Sequence, residues 1–188
     1  MLMTKDRWQS GVSGRAAEVE SLHVALNRAY DARDGSAAGN NKWHEAAMAF
    51  RAAVEAFYAP YEEVLAGVRA GRLDAIEEAT RFLVADPWCF RSGYLRAELM
   101  HALANTPLPS HVHEPLREVV LHRIVDRQPR LLRYATQLAA SLWDQELEAM
   151  VARLEVEGSP EQRRAAAQLR AGANSRIRSL TGGRPSGQ

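Results

Sequence analysis

The chain has 188 residues, 24 Lys and Arg against 23 Asp and Glu, a net charge of +1 and one cysteine. That length supports a core without disulfides or bound metal, the lone Cys89 excludes an internal disulfide and a cysteine-only metal cage, and the balanced charge excludes a global field steering the molecule onto nucleic acid. No apolar run approaches the roughly 18 residues of a membrane span, and MLMTKDRWQS carries no apolar signal core, so the expectation is a cytoplasmic protein with no membrane contact.

Only two of the cations are lysines, Lys5 and Lys42, and alanine is abundant, which is the usage of a GC-rich bacterial genome. Nearly every segment has helical periodicity and none sustains the alternation of a strand, so the fold is expected to be all-α with about eight helices. The first element carries Trp8, Val12, Val19, Leu22, Leu26 and Tyr30 near seven-residue spacing. After the break GSAAGNN at 35–41, Trp43, Ala47, Phe50, Val54, Phe57, Tyr61, Val64 and Val68 follow at spacings of 4, 3, 4, 3, 4, 3 and 4. That is one apolar stripe along a long helix, which requires a helix alongside it. Residues 1–71 therefore read as an antiparallel helical hairpin, kinked near Ala59 by Pro60 and ended by Gly71. Its aromatic residues exceed what a two-helix seam can cover, so they must pack on later helices or on a second copy of the chain.

A third helix begins near Asp74, whose spacing to Glu77 matches a capping box, and buries Ile76, Thr80 and Leu83. The stretch ADPWCFRSGYLRAEL at 85–99 then reads as a helix start. Asp86 has the chemistry of an N-cap and Pro87 that of a first helical residue, with Trp88, Cys89 and Phe90 as packing and Gly93 as a point of close approach. NTPLPSH ends that helix near Ala104. Further helices start around Pro115, after Pro129, after Asp144 and at Pro160, and the tail at 181–188 is expected to be disordered.

Three of these starts share a pattern. Arg91, Arg133 and Arg164 each follow a proline by four residues, and Gly93, Ala135 and Ala166 stand two residues further on. The last two starts extend to the same string, R-x-A-x-Q-L, and the prolines are 42 and 31 residues apart. Residues 73–172 thus resemble HEAT/armadillo-type α-solenoid repeats, in which a proline turn opens a helix and a small residue admits its neighbour. The resemblance implies that residues 72–180 form a short right-handed solenoid of helix pairs packed on the hairpin. The alternative is an irregular helical bundle whose prolines serve only as caps.

Candidate chemistry is sparse. His101, His111, His113 and His122 fall close together, and His111, His113 and His122 are candidate zinc or iron ligands, though at no closed-site spacing. Cys89 lacks a local base and reads as a small buried apolar residue. No phosphate loop or nucleophile elbow is present, so no catalytic residue and no cofactor is assigned. From residue 150 onward seven arginines face three glutamates. Arg163, Arg164, Arg170, Arg176 and Arg178 are therefore candidates for a phosphate backbone, in a segment without the aromatics that stack bases. Arg91, Tyr94, Arg96, Tyr58 and Tyr61 are candidates for contact with a partner. The reading is a non-catalytic adaptor, scaffold or inhibitor acting through another protein, with a homodimer through the hairpin as a further expectation. The alternatives are a nucleic-acid-associated regulator and a metal-dependent activity at the histidines.

Overall fold

In the computed structural model, residues 11–125 and 129–181 are described, and they form eight α-helices and one short 3-10 turn with no strand. The helices are α1 (Val12–Asp31), α2 (Ala37–Arg69), α3 (Leu73–Ala85), α4 (Ser92–Leu103), α5 (His113–Val125), α6 (Pro129–Leu142), α7 (Gln145–Glu157) and α8 (Pro160–Thr181). The all-α expectation holds. Trp8, Arg184 and the tail beyond residue 181 lie outside the described residues. Among those described, no helix is long and apolar enough to cross a membrane.

Local chemistry sets most of the boundaries. The break between α1 and α2 is shorter than the sequence implied, because the Ser36 hydroxyl accepts from the Gly39 N–H and caps a helix that already begins at Ala37. α2 continues through Pro60, whose ring is exposed, and stops at Gly71. There Gly71 adopts φ 73° while the N–H groups of Gly71 and Arg72 donate to the Val68 and Gly67 carbonyls, the paired closure that favours glycine. α7 starts where Asp144 accepts from the Glu146 and Leu147 N–H groups. At the start of α8, Ser159 and Gln162 bond each other's backbone N–H reciprocally, a capping box. Asp74 makes no such box. It is the second residue of α3 and its carboxylate is taken by Arg72 at 2.6 Å.

One continuous apolar core runs from Val12 to Ala173. Part of the hairpin's aromatic surface is covered inside the chain, since Phe57 and Tyr61 pack on Phe82 of α3 with ring centroids 6.2 and 4.7 Å away, while Trp43 is half-buried and Tyr30 is 54% exposed. α2, α4, α6 and α8 touch in succession, as do α1, α3 and α5. The R-x-A-x-Q-L strings occupy matching places on α6 and α8, with Ala135, Leu138, Ala166 and Leu169 all buried. α6 and α8 approach closely at Gly172, where a Cβ would stand 2.5 Å from the Thr136 methyl. The third member of the pattern fails. Pro87 opens no helix, and Arg91 precedes α4 in a left-handed conformation instead of lying within it.

Candidate functional site

The segment between α3 and α4 departs from a capped helix start. α3 ends at Ala85, Asp86 turns left-handed at φ 45°, and α4 begins only at Ser92, after Arg91 has adopted φ 62°. Asp tolerates that region and Arg does so rarely, so the backbone here is held by its surroundings. The holding contacts are visible. Asp86 Oδ1 accepts from Arg96 Nη1 at 2.5 Å and from Arg123 Nη2 at 2.6 Å, and Asp86 Oδ2 lies 3.9 Å from His122 Nδ1. The carboxylate is thereby drawn away from the N–H groups it was expected to cap. Burial pushes the Asp86 carboxyl up, but Arg123 and Arg96 outweigh it and hold the group below the usual carboxylate range. Both guanidinium groups are buried, so one carboxylate joins the end of α3 to α4 and α5.

Beyond Asp86 the chain runs around the mouth of a cavity. The Trp88 side chain is 70% exposed rather than packed, and Cys89 is buried beneath it. Phe90 is half-buried in a three-ring cluster with His23 and Phe50, all centroids 5.2 to 5.3 Å apart. Tyr58 on α2 donates its hydroxyl to the Phe90 carbonyl and stands 3.7 Å from Cys89 Sγ. Burial pushes the Cys89 thiol up, against bonds from Tyr58 and Ser92 that pull it down, which favours the protonated thiol. Burial likewise raises the Tyr58 phenol, with Cys89 adding to it, and pushes Tyr61 up to about 12.

Two adjoining clefts result. One, of about 400 Å³, lies between α1 and residues 88–96 and is walled by Glu20 and His23 on one side and by Trp88, Phe90, Arg91 and Arg96 on the other. The second, of about 360 Å³, runs between α2 and α4 past Val54, Tyr58, Tyr61, Glu62 and Glu98. Arg91 and Tyr94 belong to both. Clefts of this size with apolar walls and a few charged groups are the usual form of a binding site.

No family model, curated protein or solved structure matches the chain. The functional reading therefore rests on the residues themselves.

The five contact candidates divide. Arg91 and Tyr94 are exposed at the clefts, Tyr58 is half-buried behind them, and Arg96 and Tyr61 are each only 2% exposed. Arg96 and Tyr61 are therefore not surface residues, because Arg96 is committed to Asp86 and Tyr61 to the aromatic core. Gly93 adjoins open space, so it permits no close helix approach. The histidines are not brought together. His111 Nε2 lies 3.0 Å from Glu77, His113 Nε2 lies 3.2 Å from the Leu108 carbonyl, and His122 goes to Asp86. Among the described residues no three His, Cys, Asp or Glu side chains are grouped to hold a metal ion.

The basic C-terminal helix is also partly spent on the fold. Arg170 lies 3.1 Å from both Glu148 and Glu155 of α7, and Arg176 donates to Asn105 Oδ1 at 2.7 Å beyond the end of α4. Arg163, Arg164 and Arg178 are exposed, with Arg164 Nε bonded to the Pro160 carbonyl. Sequence reasoning missed the Asp86 hub and the clefts. The signal for the second was the density of aromatic and arginine residues at 88–96, which Pro87 just before it disguised as a helix start.

Proposed function

We propose that the chain is a non-catalytic protein–protein interaction module whose docking groove is the pair of clefts that meet at Arg91 and Tyr94. The observation that carries this is the exposure of Trp88 and Tyr94, 70% and 60%, on the rim of those clefts. Large aromatics left in water beside an apolar cleft and an arginine have the composition of binding hot spots. The occupant that fits is a segment of another protein carrying an acidic group toward the exposed Arg91 and a basic group toward the exposed Glu62 and Glu98. The opposite charges of Arg91 and of Glu62 and Glu98 fix the direction in which such a segment lies.

The test is site-specific photo-crosslinking from position 94 in cells, with position 156 as control because Val156 is exposed and lines neither cleft. A protein captured from position 94 and not from 156 is then titrated as a purified partner against Trp88→Ala and Tyr94→Ala. The expected result is at least a tenfold loss of affinity in folded variants, an effect of about 1.4 kcal/mol or more. Unchanged affinity overturns the proposal, and a cross-link to a second copy of the chain replaces the foreign partner with a homodimer.

A further inference from the structure

We infer that the occupant of the cleft between α2 and α4 is an amphipathic helix that carries a basic residue for Glu62 and Glu98. The inference rests on the groove reading and names the conformation and charge of the partner. On α2 the apolar wall is Val54, Tyr58, Tyr61 and Leu65, at spacings of 4, 3 and 4, and on α4 it is Leu95. That spacing makes one ridge of roughly 16 Å, about three helical turns. Tyr61, Leu65 and Leu95 are buried and form the floor, with Val54 and Tyr58 half-buried above it.

The two walls run in the same direction. The Tyr58 hydroxyl donates to the Phe90 carbonyl just ahead of α4, and the Thr106 hydroxyl just past its end donates to the Val68 carbonyl at 3.0 Å. Two helices aligned in this way leave a straight trough between their ridges, the form that accepts the ridge of a third helix. Ala59 and Ala66, one turn to either side of Glu62, are exposed and keep that rim low. An extended segment is the poorer occupant. The described residues contain no strand, so it finds no sheet edge to pair with and would lay its own N–H and C=O groups against apolar side chains. A helix bonds those groups internally and presents only its apolar face.

Charge sets the rest of the partner. Glu62 on one wall and Glu98 on the other are exposed, and Arg91 stands about two turns ahead of Glu98. A helix with apolar residues at i, i+3 or i+4, and i+7, a Lys or Arg facing the two carboxylates and an acidic residue about two turns from it matches both floor and rims.

The test is selection of displayed random peptides of about 16 residues on the full chain, long enough to span the trough. The expected result is enrichment of sequences with that apolar period and a Lys or Arg beside it, which gain helical circular dichroism on binding as synthetic peptides. Glu62→Lys with Glu98→Lys, at exposed positions, weakens them at least about tenfold with an unchanged melting temperature, and a peptide whose basic residue is replaced by Glu recovers the loss. Aperiodic or proline-bearing winners, winners indifferent to the two lysines, or no enrichment overturn the inference. So does self-association of the chain that Glu62→Lys abolishes, which seats a second copy in the trough. In the first case a partner cross-linked from position 94 still upholds the groove, whereas loss of that cross-link removes the groove itself.

Discussion

Asp86 and Arg96 stand ten positions apart in the chain and 2.5 Å apart in space, and the Arg96 guanidinium, which shares the Asp86 carboxylate with Arg123, is closed off from solvent. Removing the carboxylate leaves both guanidinium groups buried short of their counter-charge. Asp86→Asn, which keeps a residue tolerant of the left-handed backbone, is expected to cost about 3 kcal/mol in urea unfolding. Adding Arg96→Met should recover part of that loss, because the stranded charge goes with it.

The same pair sets a pH dependence. The Asp86 carboxyl is held below its ordinary 3.8 in the folded state, so its contribution to stability is complete above that value and is lost as the pH falls through the lower folded one. The stability difference between wild type and Asp86→Asn should therefore be constant from neutral pH to about 5 and shrink below about 4. A difference that grows on acidification contradicts the assignment.

Trp88 and Phe90 should behave in opposite ways. With 70% of its surface in water, Trp88 replaced by Ala should change stability by no more than about 0.5 kcal/mol. Phe90→Ala opens the ring cluster with His23 and Phe50, but since Phe90 is only half-buried the cost should be about 2 kcal/mol, below the roughly 3–5 of a fully buried ring. Thermal melts of the two variants check both values.

Gly172→Ala tests the contact between α6 and α8. Alanine is the better helix former by about 1 kcal/mol, yet its Cβ would stand 2.5 Å from the Thr136 methyl. Overpacking should prevail, for a net loss of about 1–2 kcal/mol. Thr136→Ser removes the methyl and keeps the hydroxyl bond to the Leu132 carbonyl, so the double variant should regain wild-type stability or exceed it.

Asp144→Ala removes the cap of α7 and one of the two carboxylates on the buried Arg117, the other being Glu146. A loss of about 2 kcal/mol is expected, and Asp144→Asn should lose less, since its amide oxygen still accepts from the Leu147 N–H.

These residues also mark what a sequence can reveal. The Asp144 cap, Pro160 and Gly71 set helix ends within one turn of themselves, and the apolar period places Ile76, Leu116, Val120 and Leu138 inward, so both sets of positions were readable from local pattern. Asp86 followed by Pro87 has the same local appearance as those starts. Its geometry is decided by Arg96 and Arg123, 10 and 37 positions away, and tertiary charge pairing overrides the local preference. Two of the candidate arginines of α8 are engaged in the same way: Arg170 and Arg176 answer to acceptors on α7 and beyond α4 that no local spacing reveals. The clefts were out of reach because α1, α2 and the start of α4 meet there from separate parts of the chain.

The unbroken passage of α2 through Pro60 has a dynamic consequence. Between Val19 and Phe57 no residue is fully buried, whereas Phe57, Tyr61, Leu65 and Val68 are locked in the core. One helix therefore spans two thermodynamic regimes, with Pro60, which cannot donate to the turn before it, close to their border. Amide exchange along α2 should fall from fast near residues 40–50 to the slowest in the molecule near Val68, so that the far end opens while the end bearing the clefts stays shut.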